Sequence, residues 1–243
     1  MQKHNIYNCK THNAPQSGSV IFYVFLAIAL MAGLAFAVSQ NSRSASSGLG
    51  DDRIRLLATE TIGFADTVSK AVTQLRLRGI AVNAISFANP FLSEAQYGVY
   101  NARPANEVFN PSGGAVVYQA PQDGVTIAPN AEYLFLAGNE IENIGRTCGA
   151  AQCSDVIMVL SGLRLDICTQ INDLLGVPNP SGVPPMDTNI DLDDVFLAAV
   201  DPFSYNFTIG DEAAALSGVA EACFTETTSN PDIHTYYKVL MPR

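Results

Sequence analysis

Residues Asp51–Gly79 read DDRIRLLATETIGFADTVSKAVTQLRLRG. Ile54, Leu57, Phe64, Val68, Ala71, Val72 and Leu75, with Thr61 among them, recur at spacings of three and four. That spacing lines one face of a helix of about seven turns. Asp51 caps its start, with Asp52 near the positive end of the helix dipole. Arg76 and Arg78 sit near its end, and Gly79 follows as a stop. A Leu/Phe stripe of this kind is core packing, and we expect it to lie on a sheet.

Upstream, Ser19–Val38 reads SVIFYVFLAIALMAGLAFAV, with no charged residue. At about 1.5 Å per residue such a helix spans about 30 Å, the hydrocarbon core of a bilayer. Before it lies MQKHNIYNCKTHNAPQSG, with Lys3, Lys10 and no acid. Two lysines favour a cytoplasmic N-terminus and an exported body. Three readings compete for this front. One is a signal peptide cut near Ala35 and Ala37, although the apolar core is longer than such peptides carry. The second is an uncleaved signal anchor. The third puts the cut at Gly18, so that Ser19 starts the mature chain and the apolar helix stays.

Downstream of Gly114 the texture changes. AVVYQAP, GVTIAP, AEYLFLAG and SDVIMVLSG are short β-rich runs divided by Pro, Gly, Asn and Asp, as expected of strands joined by turns. RLDICTQINDLLG reads as a short amphipathic helix, VPNPSGVPPMDTN as a Pro-rich loop and DPFSYNFTIG as a further strand. DIHTYYKVLMPR reads as a last strand, with Tyr236, Lys238 and Leu240 on one side and Tyr237, Val239 and Met241 on the other. A long helix followed by an antiparallel sheet with loops is an α+β fold by element order.

Composition bounds the chemistry. The chain has 243 residues, 48% apolar and 15% charged, with a formal net charge of -10. It is too apolar to be disordered. Its acidity argues against a broad basic surface for nucleic acid. Of three His, only His234 lies beyond the first 18 residues. A multi-His metal site in the exported part is therefore excluded, and a Ser-His-Asp arrangement would need His234. Glu140 and Glu142 are ordinary neighbours on a strand or turn. The GGAV run at Gly113 lacks the Lys-Ser/Thr of a phosphate loop. We expect no catalytic residue, no cofactor and no metal.

Cys9 belongs to the leader. Cys148, Cys153, Cys168 and Cys223 fall in the exported part, an even number for an oxidising compartment. Three connectivities exist. The expected pairs are Cys148–Cys153, closing a small loop, and Cys168–Cys223, tying the short helix to the C-terminal part. Zinc is disfavoured by the spacing, and free buried thiols are the remaining alternative. In DTNIDLDD, Asp187, Asn189, Asp191 and Asp193 alternate, with Asp194 beside them. Alternating oxygens can wrap calcium, but Leu192 and Ala198 stand where an EF-hand needs Gly and Glu. The preferred reading is a solvated acidic loop with an Asp capping a helix over VFLAAV.

Several phrases, ISFANPF, VFNPSGGAVVYQAP, EYLFLAGNEIENIG, DICTQINDLLG and CF…YYKVLMPR, come in an order that resembles a group of type IV pilin-like or pseudopilin-like proteins of alphaproteobacteria. The resemblance covers nearly all of Gly18–Arg243. It implies a pilin-like fold: a leader over 1–18, a transmembrane and filament-core helix over 19–42, an amphipathic helix over 51–79 and a disulfide-stapled head over 80–243. It implies cleavage between Gly18 and Ser19 by a prepilin peptidase. The implied partners are other pilin-like subunits and the inner-membrane assembly platform. The implied location is the inner membrane with a periplasmic head, then a filament. The fifth residue after that cut is Tyr23, where the family carries Glu, which points to a minor or tip subunit of a pilus or type II secretion-like filament. The alternative is a signal-anchored periplasmic binding protein that does not polymerise.

Overall fold

The structure is a computed structural model that describes residues 19–146, 154–198, 203, 205–228 and 232–243. Its first element is helix α1, Ser19–Leu77. The chain forms two compact units that divide between Asp51 and Asp52. The first contains the start of α1.

In the second unit, α1 buries Leu57, Phe64, Val68, Val72 and Leu75. They share a core with Phe135, Met158, Leu160, Tyr236 and Leu240 of the sheet. Thr61 sits in this apolar stripe at little cost, because its hydroxyl donates to the Leu57 carbonyl at 2.9 Å. Gly79 ends the helix at φ +86°. The Gly79 N–H reaches the Arg76 carbonyl and the Ile80 N–H reaches that of Leu75. Those two bonds close a Schellman motif and satisfy the last carbonyls.

Six strands follow: β1 Leu134–Ile141, β2 Asp155–Leu163, β3 Met186–Asp187, β4 Phe207–Ile209, β5 Glu221–Glu226 and β6 Ile233–Met241. Their order in the sheet is β3-β5-β6-β2-β1-β4. The four central strands are antiparallel neighbours. β4 runs parallel to β1, and β3 runs parallel to β5. This corrects the pilin-like expectation of a long helix on an antiparallel sheet. The sheet is mixed and curls until its edges β3 and β4 face each other, nearly closing a barrel. The physical reason is connection length: both edge strands arrive through long loops, so no hairpin turn forces them to run antiparallel.

The curl follows from burial on both faces. Phe135, Met158, Leu160, Cys223, Tyr236 and Leu240 face the core shared with α1. Leu136, Ile157, Val159, Ala222, Phe224, Tyr237 and Val239 fill a second core on the opposite face. This is the period-two alternation of a pleated strand with both sides apolar. Met241 departs from the expected side and joins the first core, because the β2–β6 register shifts between Val156 and Ile157.

Helix α2, Leu165–Leu175, docks on β5. The disulfide Cys168–Cys223 joins them, with Cα atoms 5.4 Å apart. β3 is too short to pair with Cys223. There the Asn172 amide takes a strand's place: Nδ2 donates to the Cys223 carbonyl and Oδ1 accepts from the Cys223 N–H, both at 2.8 Å. Other sequence expectations need correction. AVVYQAP joins no ladder, and its first residue, Ala115, sits at φ +56°; GVTIAP contributes a single bridge from Thr126 to Leu163. VFLAAV is not helical over 195–198; Val195 bridges to Leu136 instead.

One ionic contact crosses from sheet to helix. Lys238 on β6 reaches Asp66 of α1 at 2.6 Å and also pairs with Glu221 of β5. The Lys238 and Glu221 side chains are each only 13% exposed, whereas Asp66 is 45% exposed. Burial lowers the Lys238 pKa, but hydrogen bonds to Asp66 and Glu221 outweigh it and the net shift is upward. Lys238→Ala leaves the largely buried Glu221 carboxylate with the Tyr236 hydroxyl at 2.6 Å but without a counter-charge, and is expected to cost about 3 kcal/mol in urea unfolding. Asp66→Asn, at the exposed end, is expected to cost about 1 kcal/mol or less. Equal losses would contradict this assignment.

Candidate functional site

The seam between the two sheet edges is built from carboxylates. Asp187, at the end of β3, is buried. Its Oδ2 accepts from the Gly210 N–H at 2.6 Å and its Oδ1 from the Thr188 N–H at 2.8 Å. Gly210 follows β4 directly, so one carboxylate spans the gap that no ladder closes. Asp211 and Glu212 lie in the same turn, and oxygens of all three acids come within 4.8 Å of one another. Thr188 Oγ1 donates to Glu212 at 2.6 Å. Burial, then the hydrogen bond shared with Glu212, lifts Asp187 to about 7 against its two N–H donors. Glu212 is exposed and falls to about 2, mainly through hydrogen bonds from Asp187, Asp211 and Thr188. The three acids therefore titrate as a group that retains a proton, which relieves like-charge repulsion at the seam.

The acidic loop considered for calcium is arranged differently. Of its alternating residues only Asp187 enters the carboxylate group. Asn189 donates to Thr188 Oγ1. Asp191 is buried, and Oδ1 accepts from the Asp193 and Asp194 N–H groups at 2.7 and 3.1 Å. Its Oδ2 accepts from Asn206 Nδ2, which also donates to Asp194 at 2.8 Å. Asp191 therefore caps its own turn, and its acceptors face protein donors. Asn139 of β1 grips the same residue by both amide atoms, each bond 2.8 Å. Gly138 permits this seat, since a Cβ there would meet Asp191 Oδ2 at 2.7 Å.

A further buried acid, Asp155, accepts from the Ile141 and Arg243 N–H groups, both at 2.9 Å. Burial lifts it to about 6, opposed by those two donors. His234 is half-buried and its Nδ1 lies 3.0 Å from Thr225 Oγ1. Burial lowers its pKa, opposed by Asp232. Glu140 and Glu142 stand on β1 and just past it, and Glu140 is buried. Gly18, Cys9, Cys148 and Cys153 lie outside the described residues, as does the whole of 1–18. Ser19 begins α1. Asp211, Glu212, Asn139 and Asn172 were not singled out from the sequence. The pair Gly210-Asp211 after a strand signals a turn, but no local pattern places it beside Asp187.

The other candidate site is the start of α1. Phe22, Tyr23, Phe25, Ile28, Leu30 and Met31 are each 58–78% exposed. No charged residue interrupts this run. A helix that is apolar all round belongs against other apolar matter. No helix among the described residues is long and apolar enough to cross a membrane. This corrects the expected transmembrane span Ser19–Val38 and the inner-membrane location built on it.

No family model matches the chain, and neither a curated protein nor a solved structure was found that resembles it.

Asp155 and Asp187 both hold protons more tightly folded than unfolded. Their contribution is complete at low pH and is lost as pH rises through about 6 to about 7. Thermal unfolding at constant salt is expected to show a falling melting temperature from pH 5 to pH 8. The slope should flatten in Asp187→Asn. A melting temperature that rises over this window would contradict the assignment.

Proposed function

We propose that the chain is a structural subunit, of the minor or tip type, of a type IV pilus or a type II secretion-like filament. It assembles through the N-terminal part of α1. The observation that carries this reading is the uncharged run at 21–33, whose side chains stand exposed in the isolated chain. Exposed apolar surface of this extent is an assembly surface. Packed against the same run on neighbouring subunits, it leaves water without needing a bilayer.

The resemblance of the ordered sequence phrases to pilin-like proteins supplies the specific form of the proposal. Tyr23 refines it. In filaments of this kind a Glu at that position neutralises the terminal amine of the next subunit, and an unpaired charge among packed helices is costly. A chain with Tyr23 has no carboxylate to offer there. It joins a filament at few positions, beside subunits that do.

The processing step is the direct test. Mass and N-terminal sequencing of the mature protein from its native cells should give a chain that starts at Ser19. A chain that starts at Met1, or after Ala37 with the apolar run removed, would overturn the proposal.

A further inference from the structure

The segment 116–120, VVYQA, belongs to no sheet, with Ala115 before it at φ +56° and Pro121, which has no N–H, after it. Val116 is buried and its N–H bonds to the Val108 carbonyl at 3.2 Å. Val117 points outward at 77% exposure. Tyr118 turns back in and packs on Phe64, Phe109 and Phe91, with ring centroids 6.2, 5.4 and 5.9 Å away. The in-out alternation is that of a strand, and the aromatic contacts hold it in place. Yet among the described residues no hydrogen bond reaches the backbone of Val117, Tyr118, Gln119 or Ala120. Pairing resumes only where the Val125 N–H meets the Gln122 carbonyl.

Beside this bare backbone runs a groove of 500 Å³ between the segment and α1. Phe64, Val116 and Tyr133 line it with apolar surface, and Glu60, Gly63 and Thr67 stand on its helix side. A Cβ added at Gly63 would meet nothing within 4 Å, so the helix wall is open to close main-chain approach. A fixed, extended run of free N–H and C=O groups recognises another extended main chain. Charge narrows the choice of chain. Glu60 is the one charged residue lining the groove, and no Lys or Arg lines it.

We propose that this groove takes an extended segment of another polypeptide, added as a strand along Val117–Ala120. The segment carries small uncharged side chains and a Lys or Arg that meets Glu60. The inference is independent of the filament reading.

Hydrogen exchange of the full chain tests it, with the capped peptide Lys-Ala-Val-Ala-Val-Lys as probe. The amides of residues 117–120 are expected to exchange freely in the chain alone, and about tenfold or more slowly at saturating probe. The same peptide N-methylated on its backbone should give no protection, since it cannot pair. Glu60→Lys should reverse the preference in favour of the probe with Glu in place of Lys. No protection by the probe, or equal protection by the N-methylated form, overturns the proposal. Protection in the chain alone that grows with protein concentration also overturns it, and assigns the groove to a second copy.

Discussion

The second unit depends on a sheet that is apolar on both faces. β2 and β6 alternate core residues with core residues, and neither side can be left to water. α1 covers one face with the stripe from Leu57 to Leu75. Among the described residues no second layer of helix covers the other. The sheet instead curls over its own side chains, and Leu136, Ile157, Phe224 and Tyr237 become an enclosed core. Curling brings the edge strands together, and it sets the problem that the polar residues then solve.

That problem is unpaired backbone at short edges. β3 and β4 have two and three residues, too few to complete a ladder. Side chains stand in for strands at three places. Asn172 pairs with Cys223, Asn139 pairs with Asp191, and Asp187 bridges to Gly210. Buried polar groups are tolerable here because each is matched to backbone donors and acceptors. The Cys168–Cys223 bridge lies at the same point as the Asn172 clamp, so one helix and one strand are tied both covalently and by an amide.

Local pattern made much of this legible. The spacing of Leu57, Phe64, Val68 and Leu75 marks the helix, and the runs around Leu134, Asp155 and Ile233 mark three of the four long strands. EACFTE, which forms β5, carries two Glu and a Cys and does not read as a strand in isolation. The parallel edges were not legible either, because two or three residues leave no periodicity to read. Partnerships such as Lys238 with Asp66, 172 positions apart, have no local signal. AVVYQAP shows the opposite failure: Val116, Val117 and Tyr118 alternate in and out, yet Ala115 at φ +56° breaks the extended run and no strand pairs with it. The length of the apolar front suggests a bilayer span, yet no helix among the described residues is long and apolar enough to cross a membrane.

The account of function rests on what covers residues 21–33. A photo-crosslinking residue at Phe25, introduced in the native cells, addresses it most directly. The account predicts covalent adducts to a second polypeptide, mapped to an apolar helix at its N-terminus. Adducts to lipid alone, or none, would contradict assembly through this helix.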